Sequence, residues 1–172
     1  TSRTYNDQPG GTYGQFIGGV PAVAAVAFGQ DARLVQLAQA ATDTSGFRTN
    51  LGMVNTGATT ISVEIKLYRG DGTSLGTVTQ SLRALEFKQL DKVFRQVTTT
   101  DVADGFAVLR TTTSGGSFLA YASVIDNRSG DPIYVPAQVL SESFVLLPGG
   151  VYLWLKRIPA GSFAMGSPEG EL

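Results

Sequence analysis

The chain has 172 residues, with 13 Lys and Arg against 14 Asp and Glu for a formal net charge of −1, and it contains neither cysteine nor histidine. A balanced charge without a basic cluster argues against nucleic acid as the main partner. The two missing residue types remove disulfides, thiolate metal sites, the usual general base and every His-dependent triad.

Taken in order, residues 1–11 carry Asn6, Asp7, Pro9, Gly10 and Gly11 and are expected to be an irregular lead-in. Tyr13 to Ile17 suits a short strand ended by Gly18-Gly19. Val20 to Ala27 fits a helical turn or a loop over a sheet edge, and periodicity does not separate the two at this length. The most apolar stretch, Val20 to Phe28, is too short to span a membrane, which takes about 20 apolar residues. Arg33 to Gln39 has strand character and is broken by Thr42 to Gly46. Phe47 to Asn55 then pairs through a short turn with Thr60 to Arg69, where Ile61, Val63, Ile65 and Leu67 alternate with Ser62, Glu64, Lys66 and Tyr68. That alternation defines a half-buried antiparallel strand.

Ser74 to Leu82 follows as a strand with Leu75 and Val78 as core candidates. Glu86 to Phe94 is expected to be a short strand passing into one helical turn, with Phe87, Leu90, Val93 and Phe94 at helical spacing. Gln96 to Asp104 is a connection. Gly105 to Thr112 and Ser117 to Asp126 form a hairpin around Ser114-Gly115-Gly116, and the run FLAYASVI, apolar on both faces, belongs to a central strand. Asn127 to Pro132 is a polar turn and Ile133 to Ala137 a last strand. About eight short strands spaced about 8–12 residues apart predict an all-β fold, an antiparallel β-sandwich of immunoglobulin-like architecture. The texture changes after Gln138, which sets the expected organisation: lead-in 1–11, sandwich 12–138, and an apolar linker with the truncated start of another module over 139–172.

Two stretches carry resemblances. Residues from about Tyr13 to Ala137, with GFRTNLGMVN, LYRGDGTSLGT and AYASVIDNRSGDPIYVP, resemble a β-sandwich module that recurs in multidomain secreted proteins of bacteria. IPAGSFAMGSPEG, from Ile158 to Gly170, resembles the opening motif of the formylglycine-generating, sulfatase-modifying enzyme family. The reactive cysteines of that family have no counterpart here, so its activity is not carried over. Together with the start of the chain without Met, these resemblances imply a piece of a larger secreted or cell-surface protein whose neighbouring domains are partners.

Without His or Cys, the candidate acid/base groups are carboxylates, and glycoside hydrolysis needs only two of them. Glu64, Glu86 and Asp91 are the catalytic candidates if the chain is an enzyme, with Asp101 and Asp104 behind them. A carboxylate beside Lys66 on a wet face is ordinarily a solvated charge. The turn Asp126 to Asp131 offers oxygen ligands for calcium, but turn chemistry explains Asn, Asp and Gly there and Arg128 opposes a cation. No metal and no cofactor is expected.

Aromatic rings carry the binding expectation, because ring faces stack on the apolar C–H faces of sugars. Tyr68, Tyr121 and Tyr134 are the ligand-binding candidates. Trp154 is a further one, although core packing is the commoner role for Tyr121 and Trp154, and still more for Phe47, Phe106 and Phe118. The leading expectation is a non-catalytic extracellular accessory module that spaces domains or binds carbohydrate or another cell-surface polymer. The alternatives are a small carboxylate-dependent glycoside hydrolase and an assembly module that pairs through an edge strand.

Overall fold

Period-two alternation sets the architecture of the chain, seen here in a computed structural model that describes residues 2–8, 11–140, 142–147 and 151–156, with side chains described for residue 7 and residues 11–140. In chain order the strands are β1 (Ser2–Gln8), β2 (Gly11–Ile17), β3 (Val26–Ala27), β4 (Asp31–Gln39), β5 (Phe47–Asn55), β6 (Ile61–Arg69) and β7 (Ser74–Leu82). They continue with β8 (Phe87–Leu90), β9 (Val102–Thr111), β10 (Ser117–Asp126), β11 (Pro132–Pro136), β12 (Gln138–Leu140), β13 (Glu142–Leu147) and β14 (Val151–Lys156). One sheet has the order β11-β10-β5-β8 with β3 also on β10, and the other has the order β12-β4-β9-β6-β7. All pairings in both are antiparallel. The protein is therefore an antiparallel β-sandwich, and the described residues include no α-helix.

Two compact units divide the chain, Thr1–Leu140 and Ser141–Leu172. The first holds the sandwich and the β1–β2 hairpin; in the second, β13 pairs with β14. The formylglycine-generating-like motif lies outside the described residues.

In β6 the buried Ile61, Val63, Ile65 and Leu67 alternate with half-buried Ser62, Glu64, Lys66 and Tyr68. Across the sandwich, Leu51, Met53, Phe118 and Ala122 complete the core with Leu34, Leu37 and Leu109. Each such Leu, Ile or Phe contributes about 1.5–3 kcal/mol by burial. β4 breaks its alternation: Leu34 and Leu37 both point inward because Val35 and Gln36 occupy a bulge, with Gln36 at φ 58°.

Several local expectations change. β5 does not pair with β6, nor β9 with β10, because each connection crosses from one sheet to the other. The lead-in is not irregular throughout, since Ser2–Gln8 pairs with Gly11–Ile17. Val20 to Ala27 contains a 3₁₀ turn at Ala22–Ala24 followed by β3. The turn after β8 is also 3₁₀, over Val93–Gln96, and it buries Val93 and Phe94 while Phe87 stays 56% exposed. Helical spacing thus grouped a residue with the core that the strand turns outward. Phe47, at the strand end where the core stops, is exposed as well.

Two polar ties fasten one sheet to the other. Thr49 on β5 donates its hydroxyl to the Ala38 carbonyl (2.7 Å), and the Thr49 N–H donates to Gln39 Oε1 (3.3 Å). At the opposite end of β5, Asn55 Nδ2 donates to the carbonyls of Thr59 (2.7 Å), Leu82 (3.2 Å) and Arg83 (2.8 Å), and Asn55 Oδ1 accepts the Gly57 N–H (2.9 Å).

Surface carboxylates make side-chain bonds that set a pH dependence. Asp126 is held below the ordinary Asp range by the Arg128 N–H and then the Ser129 hydroxyl; Asp71 by the Thr73 N–H; Asp43 by its bonds to Lys92 and Arg95. Stability from these groups is present above the unfolded Asp value of about 3.9 and is lost as pH falls through the lower folded values. Thermal melts should therefore show an acid limb beginning near pH 4, made shallower by Asp126→Asn. A limb of unchanged slope in that variant would contradict a role for the Asp126 turn.

Candidate functional site

Tyr121 stands on the outer face of β10, directly across from Gly52 on β5, and Gly52 lies across from Gln89 on β8. A methyl group at Gly52 would overlap Cε1 and Cζ of the Tyr121 ring, so the ring sits over the glycine. A glycine inside a strand marks such a close approach. Phe87 stacks beside Tyr121 with ring centroids 6.4 Å apart and 8° between planes; Tyr134, on β11, flanks it on the other side at 5.6 Å and 37°. The Tyr121 hydroxyl donates to Gln89 Oε1 (3.2 Å).

These rings floor a groove of about 570 Å³, walled by Leu119 and Val54 on the sheet and by Ile17 to Val20 where the chain leaves β2. Among the described residues no Asp, Glu, Lys or Arg lines it. A second, more polar groove of about 240 Å³ shares Ile17, Gln89 and Tyr121 with the first and adds Gln15, Arg48, Asn50 and Ser123. Gln15 Oε1 is buried there, with no hydrogen-bond donor among the described residues. Burial raises the Tyr121 phenol above its usual range, with Tyr134 adding to the effect, and burial also raises Tyr134. Both hydroxyls thus stay neutral donors and acceptors at ordinary pH.

Tyr121 and Tyr134 are therefore brought together, whereas Tyr68 lies on the outer face of the other sheet. There it stacks on Phe106 at 4.8 Å and 8°, with the Arg33 guanidinium 5.5 Å from the Phe106 ring centroid. Of the rings expected in the core, Phe118 is there, but Phe106 and Tyr121 face outward. Ala107, Leu109 and Thr111 take the inward positions of β9 instead of Phe106. Trp154 is in β14, where side chains are not among those described. Phe87 and Gln89 are groove residues that sequence reasoning missed, because their place depends on the pairing of β8 with β5; Gly52 within a strand signals only that a side chain lies over it.

The three candidate carboxylates occupy separate places. Glu64 lies on the outer face of β6 beside Lys66 (3.3 Å) and Arg110 (4.0 Å), and Arg110 also pairs with Asp31 (2.9 Å). Glu86, in the β7–β8 connection, accepts the Arg83 N–H (2.6 Å), and Asp91, just past β8, accepts a bond from Gln89 Nε2 (3.2 Å). Among the described residues no carboxylate lines either groove. At the Asp126 turn, Oδ1 accepts the Arg128 N–H (3.1 Å) and Oδ2 the Ser129 hydroxyl (2.9 Å), bonds internal to the turn. Among the described residues no three His, Cys, Asp or Glu side chains group as a metal site, and no helix is long and apolar enough to cross a membrane.

Fold and site together define a β-sandwich with an aromatic-floored groove on one outer face. No family model matches the chain, and no curated protein matches it. Among solved structures it is similar to one described as "Crystal Structure of Thermotoga maritima 1070", with a TM-score of 0.47 and 8% sequence identity over 65% of this chain and 92% of that one.

Proposed function

We propose that the sandwich is a non-catalytic accessory module of a secreted or cell-surface bacterial protein, and that it binds a neutral carbohydrate in the Phe87–Tyr121–Tyr134 groove. The observation that carries this reading is the Tyr121 ring laid over Gly52 between two further rings, with neutral polar groups at its rim. Such a platform offers ring faces to the apolar C–H face of a pyranose. Gln89 and the tyrosine hydroxyls offer partners to its hydroxyls. An uncharged lining costs a neutral sugar nothing in buried, unpaired charge. The resemblance of Tyr13 to Ala137 to secreted modules supports the location outside the cell.

The hydrolase reading has less support, because a pair of carboxylates must flank the scissile bond at about 5–9.5 Å from each other and the described residues lining the two grooves include none. A glycan array run beside a panel of chromogenic glycosides on the purified chain tests the proposal. Binding to neutral glycans without turnover is the expected outcome. Turnover would overturn the non-catalytic reading, and silence on both would overturn carbohydrate binding.

A further inference from the structure

Among the described residues five strands lie at the edges of the two sheets, and four of them are protected: β3, beside β11 on β10, has only two residues. β12 has three residues, β8 has four, and β11 begins and ends with proline. Short strands and prolines are the usual devices that stop an edge from pairing with another chain. β7 has none of them: its nine residues, SLGTVTQSL, include no charge and no proline. Thr77, Thr79 and Ser81 are exposed along it.

The backbone of that edge is directed outward. The Thr112 N–H donates to the Ser62 carbonyl and the Gly70 N–H to the Asp104 carbonyl, so the even-numbered residues of β6 bond toward β9. The Arg69 N–H donates to the Thr73 carbonyl, so the odd-numbered ones bond toward β7. In the register Ile61↔Leu82, Val63↔Gln80 and Ile65↔Val78, the N–H and C=O groups of Val78, Gln80 and Leu82 are the ones used. Those of Thr77, Thr79 and Ser81 point out of the sheet. Toward the strand's start the ladder is irregular opposite Leu67 and Tyr68, and Val97 leans on Gly76, which confines the open stretch to Thr77 through Ser81.

We infer that this open stretch of β7 pairs antiparallel with β7 of a second copy of the chain, about a twofold axis through Thr79, to make one continuous sheet across the dimer. The segment is self-complementary: Thr79 meets its own copy, Thr77 meets the partner's Ser81, and all three pairs exchange N–H···O bonds, about six in total. Threonine and serine pair favourably across strands. An uncharged strand on a chain of net charge −1 meets its copy without like-charge repulsion, whereas nothing on this edge selects a charged foreign segment.

Cysteine cross-linking in the full chain tests both the dimer and its register, because the native sequence has no cysteine. Hydrogen-bonded antiparallel pairs have Cα atoms about 5.5 Å apart, within disulfide reach. Under mild oxidation Thr79→Cys should convert nearly all of the chain to a covalent dimer. Thr77→Cys alone and Ser81→Cys alone should stay monomeric on a non-reducing gel, and a mixture of the two should cross-link. Sedimentation should show a dimer for the unmodified chain and a monomer for Thr79→Pro, with circular dichroism unchanged. A monomeric unmodified chain, equal cross-linking at all three positions, or a dimer that survives Thr79→Pro would overturn the inference. None of these outcomes depends on carbohydrate binding.

Discussion

Asn55→Ala should lower the unfolding free energy by about 2–4 kcal/mol, read as a shift in urea midpoint at constant slope. The side chain is fully buried, and its amide serves three carbonyls while its oxygen serves the Gly57 N–H. It therefore ties the end of β5 in one sheet to the β5–β6 connection, which crosses between the sheets, and to the end of β7 in the other. Truncation leaves those groups short of partners, and each group left buried without one costs about 1–3 kcal/mol. Asn55→Asp separates this network from simple packing. The carboxylate keeps the shape and the bond to Gly57 but faces the carbonyls with a buried negative charge, so it should be more destabilising than alanine. Equal effects of the two substitutions would remove the network as the cause.

The second large effect concerns binding. A side chain at position 52 must push the Tyr121 ring off the sheet, and because that ring is only half-buried the fold can release it cheaply. Gly52→Val should therefore change stability by no more than about 1 kcal/mol while weakening glycan binding at least about tenfold. Losing a central aromatic contact costs about 2 kcal/mol or more, and 1.4 kcal/mol is tenfold in affinity. Tyr121→Ala should do the same. Tyr68→Ala, on the other sheet, should leave binding unchanged and serves as the control. A Gly52→Val protein that unfolds would make Tyr121→Ala the deciding variant.

The sequence made the strands legible where one face is apolar and the other polar, as in β6, and where both faces are apolar, as in β10. What it did not contain was the phase of residues at strand ends and on the outer faces. Phe47 follows the inward parity of Thr49, Leu51 and Met53 but lies beyond the core. Phe106 yields the inward positions to Ala107 and Leu109, a parity choice that two apolar sets on one strand leave open. The groove depends on a further step, the pairing of β5 between β8 and β10, which places Gly52 between Gln89 and Tyr121. Local pattern carries no information on that pairing, so Phe87 was grouped with Leu90 and Phe94. Tyr121 and Tyr134 were found as rings without their common setting.

Isothermal titration of the purified chain with neutral oligosaccharides, cello-, xylo- and laminari-oligomers among them, tests the central claim most directly when run in parallel on Tyr121→Ala. Saturable binding of at least one oligomer to the unmodified chain, abolished in the variant, is the expected result. No binding of any oligomer, or binding that Tyr121→Ala leaves intact, would contradict a carbohydrate site in this groove.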